Sequence, residues 1–229
     1  MATYVLLHGA YQGGWIWQHV TPYLHAAGHT VFTPTLDGCA ERRHALRPGI
    51  DTESQAAEVS EMLFFEDLRD IVLVGTSCGG MVAARVAETS RDRIGRIVLA
   101  DALALFNGES VADHVKRPTA VTTDLATGPS PEDAANRMFI SLQEPIKSWA
   151  LERYTPHPVA AMAAPVKLDH FWDQSWNASV IWCKQSVNPP VAHQRRAADK
   201  LHARWYELDT GHYPMLTRPA DLARLMMKT

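Results

Sequence analysis

The chain has 229 residues, of which 46% are hydrophobic and 21% charged, and its formal net charge is −3. That length suffices for one α/β domain with a large core. The balanced charge provides no basic stripe for nucleic acid, and no apolar run approaches the length needed to cross a membrane, so we expect neither partner.

Apolar runs alternate with helical patterns along most of the chain. The predicted strands are Tyr4–Leu7, Thr30–Phe32, Ile71–Val74, Ile94–Leu99, Val180–Trp182 and Arg204–Leu208. The predicted helices are Trp17–Ala27, Asp51–Phe65, Met81–Glu88, Val191–Lys200 and Ala220–Met227. The alternation predicts an α/β fold with a mostly parallel, doubly wound sheet of about six strands.

Residues 103–178 break this alternation, because they contain no convincing strand and are rich in proline. Helical patterns near Asp133–Leu142 and Lys147–Arg153 predict a helical cap, inserted after the strand that ends at Asp101. The core would then consist of residues 1–102 and 179–229. A long insertion at the carboxyl end of a strand lies where α/β sheets bind ligands. The alternative is a second small domain with a structural role.

A Gly-Thr-Ser-Cys-Gly segment, Gly75–Gly79, stands between a predicted strand and a predicted helix. That context is typical of a nucleophile elbow, a sharp turn that lifts the serine clear of the sheet. Glycine fits the tight turn, and the following helix directs its positive dipole end at the reaction centre. The pattern predicts Ser77 as a nucleophile; the alternative is a surface serine in an ordinary turn.

A serine hydroxyl is a weak nucleophile and needs a neighbouring base. His212 is the candidate, because it follows the last predicted strand in a glycine-containing turn, at the sheet edge where Ser77 should emerge. The chain order of serine, acid and histidine is the order expected for such an elbow.

The acid has two candidate positions at that edge. The turn after Val180–Trp182 is the commoner one, but residues 183–188 contain no carboxylate. Asp101, at the tip of the strand after the nucleophile helix, is therefore predicted to orient the imidazole and stabilise its imidazolium form. The competing candidate is Asp209, three residues before His212, although its simpler role is to shape that turn. The alternative for Asp101 is a structural role, because an aspartate at a strand end often forms a turn or caps a helix.

The oxyanion of an acyl-transfer reaction needs two donors. We predict the backbone N–H groups of Cys78, the residue after the nucleophile, and of Ala10, in the turn after the first strand. The Cys78 side chain should point away and pack, and His8 should hold the glycine loop. Aromatic residues predict an apolar pocket beneath the cap, although the alternative is that most are cap core. The predicted pocket residues are Gly9, Tyr11, Trp15, Trp149, Tyr154, Trp172 and Tyr213, with Phe171 and Trp176 as further candidates.

The remaining signals bear on metals, location and assembly. His25 and His29 have zinc-like spacing, but Gly28 interrupts the helix and no third ligand is evident, so we predict neither metal nor cofactor. The three cysteines are odd in number and widely spaced, so they indicate neither a disulfide framework nor a zinc site. With no room for a signal peptide before the first strand, we expect a cytoplasmic protein. Its partner is a small-molecule substrate, and a homodimer is an open alternative.

The segments Val5–Trp15, Gly75–Gly80 and Glu207–Pro214 make the chain resemble α/β-hydrolases, over nearly its whole length. The group includes plant methylesterases, hydroxynitrile lyases and small bacterial esterases, some of which hydrolyse carbamates or pyrethroids. The plant enzymes have an aspartate where Ser186 stands, whereas the position of Asp101 resembles that of the acid in some lactonases.

The resemblance implies a cofactor-independent serine hydrolase that cleaves a small neutral or aromatic carboxylic ester through an acyl-enzyme, with carbamate and lactone as alternatives. Hydroxynitrile lyases carry a lysine directly after the histidine and a threonine beside the oxyanion loop, where this chain has Tyr213 and Gly9. Lyase chemistry is therefore disfavoured. A cofactor-free dioxygenase on the same fold and a non-enzymatic small-molecule receptor stay open.

Overall fold

The computed structural model describes residues 1–115 and 120–228. Its strands are β1 Thr3–Leu7, β2 Thr30–Phe32, β3 Ile71–Ser77, β4 Ile94–Ala102, β5 Ala120–Thr122, β6 Ala126–Pro129, β7 His157–Pro158, β8 Ala178–Cys183 and β9 Arg204–Leu208. Its α-helices are α1 Thr21–Ala26, α2 Thr52–Phe65, α3 Gly79–Thr89, α4 Pro131–Asp133, α5 Ile146–Leu151, α6 Val159–Ala163, α7 Val191–Leu201, α8 Pro214–Thr217 and α9 Pro219–Met227. None of the helices in these two ranges is long and apolar enough to span a membrane.

The main sheet has six strands in the order β2-β1-β3-β4-β8-β9, and every neighbouring pair is parallel. This architecture confirms the predicted fold class. Because all strands run the same way, their carboxyl ends share one edge, and the turns after β1, β3, β4, β8 and β9 meet there.

Successive strand residues enter two cores, one on each face of the sheet. In β3, Ile71 and Leu73 pack on one face, while Val72 and Val74 pack on the other. Residues of α2, α3 and α7 contribute to the first core, and residues of α1, α8 and α9 to the second. The period-two alternation of a strand thus covers both faces with helices.

The first predicted helix, Trp17–Ala27, was wrong in its extent. The chain forms a 3₁₀ turn over Gly14–Trp17, and α1 begins only at Thr21. Pro22 occupies the first turn of α1, where its missing N–H costs no hydrogen bond. The same proline inside a longer helix would break it, which explains the shorter element.

The prediction that residues 103–178 contain no strand was also wrong. The strands β5, β6 and β7 form a small antiparallel sheet, in which the hydroxyls of Thr122 and Thr127 lie 2.8 Å apart. Strands of two to four residues are too short to produce a recognisable alternation. The helical pattern predicted over Asp133–Leu142 is α4 continued by a π-helix over Ala134–Met138. Residues 116–119 of this insertion lie outside the described residues.

Candidate active site

Ser77 ends β3 in a left-handed backbone conformation, with φ of 48°. Two glycines make this turn feasible. A Cβ on Gly75 would lie 2.5 Å from the carbonyl oxygen of Gly79, and one on Gly79 would lie 2.5 Å from that of His8. A non-glycine residue with positive φ is uncommon and is maintained only when the surrounding structure demands it. The turn therefore has the geometry of an elbow with its serine held in strain.

Cys78 stands between Ser77 and the first residue of α3. Its side chain is buried, and its Sγ lies 3.9 Å from the Sδ of Met162 in the core. The thiol is therefore a packing group.

Asp101 and His212 form a close polar contact at this edge of the sheet. His212, in the turn after β9, places its Nδ1 2.6 Å from Oδ2 of Asp101. Asp101 is fully buried and has a φ of 47°, so it too occupies a left-handed turn at a strand end. Its Oδ1 accepts from the N–H of Cys183 at 3.3 Å and from Nε2 of Gln194 at 2.8 Å.

The other candidate acid is placed differently. Asp209 accepts a hydrogen bond from Gln185 at 3.1 Å, and that contact lies at the protein surface. Ser186, in the loop after β8, lines the cavity beside Ser77 but provides no carboxylate. Of these positions, Asp101 is the one that contacts the ring of His212.

The turn after β1 approaches the serine closely. A Cβ on Gly9 would lie 2.7 Å from the Cβ of Ser77, so only glycine permits this approach. His8 is fully buried; its Nδ1 lies 2.8 Å from the oxygen of Gly9, and its Nε2 accepts the N–H of Leu36 at 3.0 Å. Burial lowers the pKa of His8 to about 4, so the ring is neutral and supports the loop.

A cavity of about 300 Å³ opens beside Ser77. Ser77, His212, Ala10, Tyr11 and Tyr213 line it, and the sequence predicts Tyr11 and Tyr213 as pocket residues. Gly9, also predicted for the pocket, is not among the lining residues. The sequence does not reveal its other walls. They come from the insertion, through Arg137, Met138, Ile140 and Ser141, and from residues 185–189 of the loop after β8.

Four aromatic residues predicted for the pocket lie elsewhere, which corrects that expectation. The rings of Trp15 and Trp149 meet edge to face, with 5.2 Å between centroids. Tyr154 packs on Phe139 in the same core. Trp172 donates from its indole N–H to the oxygen of Leu105 at 3.1 Å.

Phe171, a further candidate, is also a packing residue. Its ring stacks on that of Trp176 at 5.3 Å, and neither residue lines the cavity. The rings of Phe171, Trp172 and Trp176 are buried, whereas those of Trp15, Trp149 and Tyr154 are partly buried against the second core, so all of them serve packing.

His25 and His29 belong to no group of side chains that could hold a metal ion within the described residues. His29 accepts the backbone N–H of Ala2 through its Nδ1 at 3.1 Å. Across residues 1–115 and 120–228, no group of three or more His, Cys, Asp or Glu side chains is arranged to hold a metal ion.

Known proteins are similar to this chain over most of its length. A family model described as "Alpha/beta hydrolase family" matches residues 4–225. A carbendazim hydrolyzing esterase of Nocardioides sp. (strain SG-4G) is 31% identical over 181 residues, which cover 73% of this chain and 74% of that protein. A pimeloyl-[acyl-carrier protein] methyl ester esterase of Aromatoleum aromaticum (strain DSM 19018 / LMG 30748 / EbN1) is 29% identical over 97% of this chain and 95% of its own.

A solved extracellular α/β-hydrolase from a Paenibacillus species has the same fold. Its TM-score is 0.85 at 23% identity, and the match covers 100% of this chain and 98% of that chain. Plant methylesterases and hydroxynitrile lyases are also among the relatives, as the sequence motifs indicated. Relatives named as esterases and hydrolases support an enzyme of the carboxylesterase type. The chain belongs to the α/β-hydrolase family.

Proposed function

We propose that this protein is a serine esterase for small neutral or aromatic carboxylic esters, with Ser77 as nucleophile, His212 as general base and Asp101 as the orienting acid. The observation that carries the proposal is the 2.6 Å contact between His212 Nδ1 and Asp101 Oδ2, beside a cavity lined by both Ser77 and His212. A carboxylate on Nδ1 keeps the proton there and leaves Nε2 basic.

Acylation begins when Oγ of Ser77 attacks the ester carbonyl carbon and His212 Nε2 takes the hydroxyl proton. The negative charge develops on the former carbonyl oxygen. The N–H groups of Ala10 and Cys78 are the proposed donors to that oxyanion. His212 then gives its proton to the departing alkoxide, which leaves as the alcohol and completes the acyl-enzyme.

Deacylation repeats these steps with water as the nucleophile. His212 takes a proton from water, the resulting tetrahedral intermediate collapses, and Ser77 leaves with that proton. The carboxylic acid product is released, and the enzyme returns to its starting protonation state.

The cavity supports a small substrate. Its volume of about 300 Å³ is at the lower end of the range for small-molecule sites. We propose residues 103–178 as the cap, because Arg137, Met138, Ile140 and Ser141 contribute to the outer wall. Relatives named for carbendazim hydrolysis and for a methyl ester support ester as our first choice, with carbamate and lactone as alternatives.

The test is a panel that presents one aryl leaving group as acetate, longer acyl ester and methyl carbamate, together with an aryl-substituted lactone. For a substrate that is turned over, Ser77→Ala should lower kcat/KM by about 10⁴-fold or more, since the nucleophile is lost. Ser60→Ala, on α2 and remote from the cavity, is the control and should match the wild type. Equal activity in Ser77→Ala, or no turnover of any member, would refute the proposal.

A further inference from the structure

A buried glutamine on α7 contacts the second oxygen of the buried acid. Gln194 is 1% exposed, and its Nε2 donates to Asp101 Oδ1 at 2.8 Å and to the carbonyl oxygen of Pro189 at 3.2 Å. Pro189 belongs to the loop that lines the cavity. One amide group therefore joins the proposed catalytic acid to the wall of the substrate site.

The chemistry of these partners fixes the orientation of the amide. Both acceptors are oxygens, and a side-chain amide has its two donors on nitrogen. Oε1 of Gln194 is buried and has no hydrogen-bond partner within the described chain. The reversed amide would set an oxygen against a carboxylate and a carbonyl. The two donor contacts are therefore maintained although the amide oxygen is left unsatisfied, which carries a cost of its own.

Asp101 depends on such donors because it is fully buried. A carboxylate without water is stable only when protein donors surround it. Oδ2 is engaged by His212, so Oδ1 must be satisfied separately. The Cys183 N–H is 3.3 Å away and the Gln194 amide 2.8 Å, which makes Gln194 the closer donor. Burial and the charge of Asp101 raise the pKa of the Cys183 thiol, so that neighbour stays neutral.

We infer that Gln194 is a positioning residue that fixes the rotation of the Asp101 carboxylate, and thereby the ring of His212, while holding the cavity loop at Pro189. The inference rests on the proposed roles of Asp101 and His212. The neighbouring His193 strengthens the same attachment, because its Nε2 accepts the N–H of Ala104 at 3.0 Å, just beyond the acid. The first turn of α7 thus holds the segments that follow both β4 and β8.

The key variant is Gln194→Met, which removes both donors while retaining length and volume. Hydrogen bonds to charged groups are strong, so we expect kcat to fall roughly 10- to 100-fold with little change in KM. A carboxylate with fewer donors stabilises a neighbouring cation more strongly, so the acid limb of the kcat/KM profile should move to higher pH. Gln194→Glu, close to isosteric, is the second variant if Gln194→Met does not fold; it also removes the amide donors and should lower kcat.

A matched control exists elsewhere in the chain. Gln55 is also 1% exposed, and its Nε2 donates to a backbone carbonyl, that of Asp37, at 3.0 Å. Gln55→Met therefore measures the general cost of deleting a buried amide. It should lower the melting temperature while leaving kcat and the pH profile at wild-type values.

A measurement that needs no turnover separates this inference from the proposed esterase. The Nδ1 proton of His212, bonded to Asp101, should give a far-downfield ¹H resonance that moves in Gln194→Met and stays in place in Gln55→Met. If the resonance moves but the wild type hydrolyses no ester, the esterase proposal fails and the positioning role stands. A folded Gln194→Met with wild-type kcat, pH profile and resonance would overturn the inference.

Discussion

The two walls of the cavity are built differently. On the inner wall, at the carboxyl edge of the sheet, Asp101 is fully buried and Gly9 allows the loop after β1 to touch Ser77. On the outer wall, the side chains of Ile140 and Val187 are 65% and 80% exposed. Both walls line the same cavity.

This difference separates the proposed chemistry from substrate selection. Buried hydrogen bonds and close backbone approaches hold groups in one geometry, which proton transfer and charge stabilisation require. Exposed aliphatic side chains form few contacts and can be replaced at little cost in stability. Substitutions on the inner wall should therefore change kcat or folding, whereas those on the outer wall should change KM.

The largest effect is expected for Asp101→Asn. The amide cannot keep the correct His212 tautomer, and kcat should fall on the order of 10⁴-fold. Asp209→Asn is the matched control: its carboxylate contacts Gln185 at the surface, so its kcat should stay near the wild-type value. Steady-state kinetics on the best ester of the panel provide the measurement. If the two variants exchange these phenotypes, Asp209 is the acid.

The next effect is on stability. His8 supports the inner wall as a neutral ring with a pKa of about 4, below the value of 6.5 in the unfolded chain. Between these values the unfolded chain takes up a proton that the native state does not. The contribution of neutral His8 to the free energy of unfolding is therefore fully present above pH 6.5. As the pH falls to 4, the free energy of unfolding should decrease by roughly 3 kcal/mol because of this group.

Urea titrations at several pH values would measure that slope. His8→Gln keeps a donor and an acceptor without titrating in this range, so its slope should be shallower than that of the wild type. His44→Gln, at an exposed position, should keep the wild-type slope. Parallel curves for His8→Gln and the wild type would show that His8 is not the group responsible.

Alanine substitutions of Gly9 and Gly211 test the rigidity of the two walls, because the added Cβ would press on Ser77 of the inner wall or on Ser141 of the outer wall. A Cβ on Gly9 would displace Ser77, and a misplacement of this kind can cost about 10²-fold in kcat. Among the described residues beyond its chain neighbours, a Cβ on Gly211 would meet the Ser141 side chain, at 3.1 Å from its Oγ, and that hydroxyl can rotate away. We therefore expect Gly211→Ala to change kcat/KM by only a few fold. Comparable losses in both variants would mean that the outer wall is as rigid as the inner one.

The inner wall was predictable because local rules specify it. A Gly-x-Ser-x-Gly segment after an apolar strand predicts a sharp turn at Ser77, since the turn itself demands that pattern. The prediction of Asp101 as the acid rests on its position at the tip of a strand and on the missing carboxylate after β8. Its left-handed backbone was not predicted, although aspartate tolerates this conformation better than most residues. Gln194 was missed, because nothing local relates a helix residue to an acid 93 positions earlier.

The outer wall was not predictable for a related reason. Aromatic character predicts that Trp15 and Trp172 pack against apolar surface, but not which surface; Trp172 is buried in the first core, and Trp15 is partly buried against the second. Arg137 and Ile140 reach the cavity only because the insertion folds back over the sheet edge. Their positions depend on contacts between distant segments, which no periodicity encodes. One local signal does mark the start of α1, because Pro22 in its first turn indicates a helix that begins near Thr21 rather than at Trp17.

The smallest effect is expected at the cavity mouth. Val187→Ser and Ile140→Ser each remove an aliphatic contact for a substrate group that extends beyond the cavity. Burial of about 40 Å² of apolar surface is worth about 1 kcal/mol, so KM for a long-chain ester should rise roughly fivefold. KM for the acetate, which does not reach the mouth, should stay the same in both variants, and kcat should not change for either substrate.

Val121→Ser is the control for that measurement, because Val121 is 61% exposed on β5 and does not line the cavity. Its KM values should equal those of the wild type for every chain length. A decrease in kcat for Val187→Ser would show that the loop after β8 transmits its position to the acid. The route would then be the Pro189–Gln194 contact, and Val187→Ser combined with Gln194→Met should lose less than the product of the two single effects.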